Sequence, residues 1–492
     1  MTDQFNADCI GALGRRKVRT PNLDRLVRDG VCFQRAYANN PICAPSRITF
    51  ISGQYCHTHG VLSNDTYTLE NRNPDTVSAV FRRNGYQTAL IGKSHMIGAW
   101  DREGFEYLRY CDLCDSELDD PCSVHYFQHL VDHGLADEYD HGSPMPGSPG
   151  TSFKTWTSSI PLKHCLEVWT GDETLKFIEN RDPARPFFMQ MSFQRPHEPL
   201  NLPYDMEPLY QPEDIDLPNS KSDWFENRFC DRHPFMRDWF KEADSAGYPY
   251  RAKDERDLKE VLVGYYSLIT MIDEQIGRVI DYLKKTGEYD NTLIVFTADH
   301  GDFAGDHGTV FKNMGIFESI QRIPFIIRYP EGPCGTAVEE MIESVDLAPT
   351  LLDYCSLPVP EQMEGSSILP VIEGHASGKD EIICEWVMPL RYDEKVFALR
   401  TKRYRLVYLG TEQGSELYDH NVDPQEMHNV FDDPAYKDIC THLLERMVSH
   451  IGRFNYTANP IEERRLQEEL LKHVTPRIHR LGVKWSKQEV LV

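Results

Sequence analysis

Residues 265–302, YYSLITMIDEQIGRVIDYLKKTGEYDNTLIVFTADHGD, contain a complete structural sentence. A long amphipathic stretch predicts a helix, a Gly-containing turn follows, and a short apolar run at 292–297 predicts a strand. The strand ends in a polar cluster that opens with Asp299 and His300. The same grammar recurs in TVSAVFRRNGYQTALIGKSH, residues 76–95: a helix, an Asn84-Gly85 stop, a strand at 87–91, then Lys93 and His95. In PFFMQMSFQRPHEPL, residues 186–200, an apolar run at 187–193 leads to His197. Helices alternating with strands of this length predict a large mixed, mainly parallel α/β sheet flanked by helices. In such sheets ligands bind beyond the carboxyl ends of the strands, where these clusters fall.

A fourth cluster, Asp3 and Gln4 in MTDQ, opens the chain with no strand before it. The expectation is that Met1 is a misplaced start and that the DNA upstream encodes a short apolar strand in frame. Such an extension could also carry a signal peptide, which would change the compartment.

The chain has 492 residues, enough for one large domain and a smaller one. Hydrophobic residues make up 40% and charged residues 26%, as in soluble globular enzymes. No apolar run is long enough to span a bilayer, so no membrane partner is expected. The net charge of -25, from 52 Lys+Arg against 77 Asp+Glu, argues against nucleic acid as a partner. An anionic substrate would therefore need a local basic pocket on an acidic surface. The 13 cysteines are irregularly spaced. Cys111, Cys114 and Cys122 cluster, but a lone C-x-x-C without a second pair reads as free thiols rather than a metal site. Unpaired cysteines in this number point to a reducing, cytoplasmic compartment.

Two stretches, 100–157 and 203–256, are rich in aromatics, acids, Pro and Gly, and read as lids or substrate walls near the strand ends. After about residue 374, short strands at close spacing and a helix near 438–452 predict a small antiparallel sheet with a packed helix. The expected division is a catalytic domain at 1–374, an α+β subdomain at 375–458 and a charged tail at 459–492. The tail is expected to wrap another surface or a second copy of the chain.

PICAPSRITFISGQ, residues 41–54, places Cys43 beside Pro45 and Ser46, which open a helix that Gly53 stops. Cys43 is thus expected at the positive end of a helix dipole, where backbone N–H groups hold sulfate or phosphate and a thiolate is stabilised. Arg47 follows one turn later.

CAPSR with a following SGQ resembles the signature of the type I sulfatases, in the alkaline-phosphatase superfamily. Companion stretches stand in that family's order: TPNLDRLVRDGVCFQRAYANNPICAPSR, GYQTALIGKSH, RPHEP, TADHGDFAGDHG, VDLAPTLLD and ELYDHNVDPQEMHNV. The resemblance implies that Cys43 is oxidised by a maturation enzyme to Cα-formylglycine, whose hydrated aldehyde is the nucleophile. It implies metal ligands at Asp3, Gln4, Asp299 and His300, with Cys43 beside the ion. Ca²⁺ is the family's usual ion; an imidazole ligand is less suited to a hard cation, so Mn²⁺ or Mg²⁺ stays open. Arg47 would hold the diol, and Lys93 and Lys312 would bind sulfate oxygens. His95 would be the base that expels sulfate, and His197 the acid on the leaving alcohol. His57 and His59, in YCHTHG, are candidates for substrate contact or for plain structure.

The implied activity is hydrolysis of sulfate monoesters of a sugar or another small organic alcohol. Asp3-Gln4 and Asp299-His300 depart from the paired Asp-Asp and Asp-Asn of many sulfatases and resemble phosphonate monoester hydrolases. A phosphonate monoester or phosphodiester substrate is the alternative. A binding protein without the modified residue is the third reading, and the complete set of site residues weighs against it.

Overall fold

The computed structural model describes residues 1–64, 75–95, 104–111, 124–138, 155–227, 252, 254–312, 315–388, 391–408 and 415–452. Its centre is a sheet assembled from two four-stranded arrays. The first contains β1 (Thr2–Asp3), β3 (Gln87–Gly92), β4 (Tyr107–Tyr110) and β6 (Phe187–Pro196), in the order β1-β6-β3-β4 and parallel throughout. The second contains β2 (Val31–Tyr37), β8 (Ile294–Thr297), β9 (Arg322–Arg328) and β10 (Thr336–Glu343), in the order β10-β2-β9-β8. Here β9 runs antiparallel to both neighbours, while β2 and β10 are parallel. A parallel bridge between Thr2 and Ala298 joins the two arrays. A short parallel pair, β5 (Trp156–Ser158) with β7 (Asn201–Pro203), stands apart.

Between β6 and β8, the slot is held by the two residues of β1. The Met1 ammonium is buried there and donates to the Met191 carbonyl at 2.8 Å. Burial, with Arg47 nearby, draws its pKa down to about 5.

Side chains alternate across a strand, and β3 shows which helices cover which face. Ala89 and Ile91 join the core cluster that includes Leu23 and Leu26 of the helix Pro21–Asp29, Phe177 and Ile178 of the helix Leu166–Asn180, and Leu262 and Ile269 of the helix Glu255–Thr286. Leu90 points the other way, into a cluster with Ile48, Val80, Phe81 and Leu352. The sheet is thus sandwiched, as a mainly parallel sheet must be. The 32-residue helix Glu255–Thr286 starts at Asp254, whose side chain accepts from Arg256 N and Asp257 N, and stops at left-handed Gly287. Its Tyr265 hydroxyl donates to the Gln4 carbonyl at 2.7 Å and accepts from Asn6 N at 2.9 Å, which ties the helix to the chain's first polar cluster.

The C-terminal part is an antiparallel meander of β11 (Glu381–Met388), β12 (Arg391–Thr401), β13 (Tyr404–Tyr408) and β14 (Glu416–Asp419). Ile383, Leu399, Leu406 and Leu417 pack on Cys440, Leu443 and Met447 of the helix Lys437–Gly452. From the opposite face, Cys384, Trp386, Val396, Ala398 and Val407 meet Ile42 and Ile316 of the large domain. Among the described residues no helix is long and apolar enough to cross a membrane.

Gly92 ends β3 with φ +95°, and a Cβ there would lie 1.8 Å from the Ser192 carbonyl oxygen. The close approach releases Lys93 from the strand at the sheet's carboxyl edge. Gly92→Ala should therefore destabilise the protein by well over the ~1–2 kcal/mol of a left-handed residue alone. Gly85, at φ +88° with open space around it, should cost only that amount when changed to Ala. Denaturant unfolding of the two variants checks this; equal losses would refute the steric argument.

Candidate active site

Cys43 opens the helix Cys43–Ser52, two residues earlier than Pro45-Ser46 suggested, so the thiol belongs to the first turn. Proline is tolerated in a first turn because its missing N–H costs nothing there. The Asn40 side chain accepts from Ile42 N at 2.9 Å, the Asn64 side chain accepts from Ala44 N at 3.0 Å, and Gly53 at φ +63° closes the helix onto the Thr49 carbonyl. Every residue of this helix is buried, and Cys43 is 0% exposed.

Around Cys43 Sγ lie Lys312 Nζ at 3.0 Å, His300 Nε2 at 3.3 Å and Asp3 Oδ1 at 3.5 Å. Burial alone would raise the thiol's pKa. Lys312, Lys93 and His300, with a hydrogen bond from His197, outweigh it and hold the group well below the ordinary thiol range. The pocket is built to keep a negative charge at this point.

One donor atom each from Asp3, Cys43, Asp299 and His300 lies within 4.8 Å of the others. His300 Nδ1 donates to the Gly301 carbonyl at 2.9 Å, which leaves the Nε2 lone pair facing the pocket. Gln4, at φ +63°, donates its backbone N–H to Asp299 Oδ1 at 3.1 Å. Its side-chain Nε2 donates to Glu198 Oε2 at 2.8 Å and to Asp302 Oδ2 at 2.9 Å. That orientation leaves Gln4 Oε1 buried with no hydrogen-bond partner, which is costly unless a cation completes it. Two carboxylates, an amide oxygen and one imidazole fit a divalent ion that prefers oxygen and tolerates nitrogen.

Glu198 and Asp302 were not singled out in the sequence, although each lies within a quoted motif, RPHEP and TADHGD. Their role is to fix which end of the Gln4 amide faces inward. Burial pushes Asp302 up to about 7, against hydrogen bonds from Ala304 N, the Gln4 amide and Phe311 N. Burial would likewise raise Glu198, but His197 and Lys312 draw it below the usual carboxylate range.

Arg47 is 1% exposed. Its Nε donates to Asp299 Oδ2 at 2.7 Å, and its Nη1 donates to Ser192 Oγ at 2.9 Å and to the Lys93 carbonyl at 3.2 Å. Lys93 Nζ donates to Asp3. Burial and Cys43 would raise Asp3, yet Lys93, His197 and Lys312 bring it well below the usual range. His197 Nδ1 is 2.6 Å from the Glu198 carbonyl, so the ring's other nitrogen is the one available to a ligand. His95, two residues past Lys93, is half-buried with its backbone left-handed at φ +46°.

His57 and His59 lie elsewhere. His57 pairs with Glu385 of the second sheet, stacked on Tyr55. Burial, with His57 nearby, lowers His59 to about 3, and the ring sits between Thr49 Oγ1 and Val61 N as a neutral structural group. Cys111 is buried beside Tyr126 and Trp169, while Cys114 and Cys122 fall outside the described residues.

A charged, buried pocket at the strand ends of a mixed sheet, beside a smaller antiparallel sheet, is an alkaline-phosphatase-like hydrolase architecture. The solved phosphonate monoester hydrolase of Silicibacter pomeroyi superposes with a TM-score of 0.76 at 28% identity, over 92% of this chain and 94% of that one. Residues 1–357 match the profile of the sulfatase family, and residues 305–452 match that of the N-sulphoglucosamine sulphohydrolase C-terminal region. The chain therefore belongs to the sulfatase family, the type I sulfatases of the alkaline-phosphatase superfamily, and is a sulfuric ester hydrolase. An arylsulfatase of Clostridium perfringens is 28% identical over 92% of this chain and 93% of its own length. An N-acetylglucosamine-6-O-sulfatase of Bacteroides thetaiotaomicron is 27% identical over 90% and 84%.

Arg47→Met leaves the buried Asp299 carboxylate without its guanidinium and should cost ~3–5 kcal/mol of stability in chelator. The double variant Arg47→Met/Asp299→Asn should recover much of that loss. Unfolding curves of the wild type, both single variants and the double variant measure the coupling; strict additivity would contradict the assignment.

Proposed function

We propose that this enzyme hydrolyses sulfate monoesters of a sugar or another small organic alcohol, with Cys43 converted to Cα-formylglycine. The observation that carries the reading is the cationic pocket closed around Cys43 Sγ, with Lys312 at 3.0 Å and the partnerless Gln4 Oε1 close by. Asp3, Gln4, Asp299 and His300 would hold one divalent ion, Ca²⁺ in first place, with Mn²⁺ or Mg²⁺ as alternatives. When bound, the ion supplies Lewis-acid polarisation of the ester and neutralises charge.

The chain's own residues do the rest. Arg47 and Lys93 hold the diol end of the pocket, and Lys93 with Lys312 neutralises the sulfate oxygens as charge shifts in the transition state. One diol hydroxyl, its proton released to water before the attack, forms a bond to sulfur while the ester S–O bond breaks. The departing alkoxide takes its proton from His197. His95 then removes the proton of the remaining hydroxyl, the C–O bond to sulfate breaks, and the aldehyde re-forms and is rehydrated by water. Because Cys43 is 0% exposed in the folded protein, the maturation enzyme must act before the pocket closes.

The names of the arylsulfatase and the N-acetylglucosamine-6-O-sulfatase support a sulfate ester as substrate and a sugar as one candidate. A second reading, a phosphonate monoester or phosphodiester hydrolase with the same nucleophile, is favoured by the Gln4 and His300 ligands and the likeness to the Silicibacter enzyme. The proposed compartment is cytoplasmic, supported by the free cysteines among the described residues. A second copy of the chain, bound through the tail at 459–492, is proposed as a partner; the tail lies outside the described residues.

The test is peptide mass spectrometry of Cys43 in protein co-expressed with a maturation enzyme, together with turnover of matched aryl sulfate and aryl phosphonate. Aldehyde at Cys43 and faster sulfate turnover support the first reading; faster phosphonate turnover supports the second. Full activity with only thiol present overturns both. His197→Ala should slow esters of poorly acidic alcohols by about 10²–10⁴-fold and spare nitrophenyl sulfate. Steady-state kinetics on both ester types checks this, and equal losses would remove His197 from the leaving group.

A further inference from the structure

We propose a second metal site in this protein, separate from the Cys43 pocket and formed by His129, His133 and His164, for a borderline divalent ion of the zinc class. One ring nitrogen from each histidine lies within 4.8 Å of the other two. The ring centroids are 4.3, 4.4 and 5.1 Å apart.

His129 lies in the last turn of the helix Val124–Asp132, and His133 follows it by four residues, so both rings fall on one side. His164 ends the short helical turn Leu162–His164, just before the helix Leu166–Asn180. The three are held in place from behind. His133 Nδ1 lies 2.7 Å from the His129 carbonyl oxygen, to which it donates. This is the tautomer-fixing bond that metal-binding histidines make, and it leaves His133 Nε2 with its lone pair outward. The Tyr126 hydroxyl donates to the His164 carbonyl at 2.9 Å, and its ring lies nearly parallel to His129. Tyr126 is itself packed in a buried cluster with Leu130, Leu166 and Trp169.

His129 Nε2 and His164 Nδ1 are 3.0 Å apart, a hydrogen bond between rings. Tetrahedral zinc ligands at ~2.0–2.1 Å from the ion stand about 3.3 Å from one another, so a small opening of this pair admits the ion. The exposure of His133 leaves a fourth position for water. Three imidazoles with no carboxylate among them select zinc-class ions over Ca²⁺, the reverse of the oxygen-rich site at Asp3 and Asp299. An ion here would tie together two points 35 residues apart, closing the insertion between the strand Tyr107–Tyr110 and the helix Leu166–Asn180.

The experiment is calorimetric titration of the full chain with Zn²⁺ in the presence of saturating Ca²⁺, together with thermal melts. Wild type should take up one equivalent of Zn²⁺ that H133Q and H164Q do not, and only wild type should show the associated rise in Tm. His133 is exposed, so H133Q keeps the fold, which circular dichroism verifies. Cys43→Ala should retain the extra equivalent, because the site is not in the catalytic pocket. Equal zinc uptake by wild type and H133Q, or loss of the extra equivalent in Cys43→Ala, would overturn the proposal.

Discussion

Asp299 is the point at which three parts of the chain are tied together. Its amide donates to the Thr2 carbonyl at 3.2 Å, which fixes the end of β1 against the end of β8. Its carbonyl accepts from Ser46 Oγ at 2.6 Å, and one carboxylate oxygen accepts from Arg47 Nε at 2.7 Å, which docks the Cys43 helix. The other oxygen accepts from Gln4 N and His300 N. A buried carboxylate is tolerable only when compensated on all sides, so its environment cannot relax without a large loss. The requirement that keeps Asp299 satisfied also holds Cys43, Gln4 and His300 in register. Such a pocket needs little reorganisation when a charged ester enters.

The second sheet supports the same arrangement from behind. Trp386, Val396 and Ala398 pack against Ile42, the residue before Cys43. Asn39 Nδ2 donates to Glu343 Oε1 at 3.0 Å and to the Ile383 carbonyl at 2.9 Å, and Glu385 N donates back to the Asn39 carbonyl at 2.8 Å. Glu318 is drawn well below the ordinary carboxylate range against its burial by Arg400 and Arg405, both of the second sheet. Glu318, His420 and Glu426 are close enough to hold an ion, but these arginines already neutralise the acids, so the group serves as an ion-pair joint. The histidine cluster near Tyr126 has no acidic member, and that difference in chemistry separates a ligand set from a structural joint.

Much of the fold was legible because strand ends carry a periodic signature. The run at 87–91 is β3 with one more residue, and 292–297 is β8 shortened to Ile294–Thr297. The run at 187–193 continues to Pro196, because β1 lends Asp3 as a partner opposite Pro196, a pairing distant in sequence. The reversed β9 was not legible: its apolar run looks the same whichever way it points, and direction is set by its neighbours β2 and β8. The Cys43 helix begins two residues before its proline because Asn40 and Asn64, on either side of it, take up its first N–H groups.

By itself the sequence determined which residue types stand at which strand ends, since local periodicity and turn chemistry act over a few residues. That placed Lys93, His197, Asp299 and His300 past strand ends and Cys43 at the start of a helix, while Asp3, Gln4 and Lys312 were singled out through the family resemblance. The tertiary structure alone decided what Glu198 and Asp302 do. Their contacts with Gln4 span 194 and 298 residues, and no local rule links positions so far apart. It also decided the partner of His57, because the second sheet brings Glu385 across 328 residues to meet it. Burial and charge compensation belong to the packed pocket as a whole, and they exist only once every strand is in place.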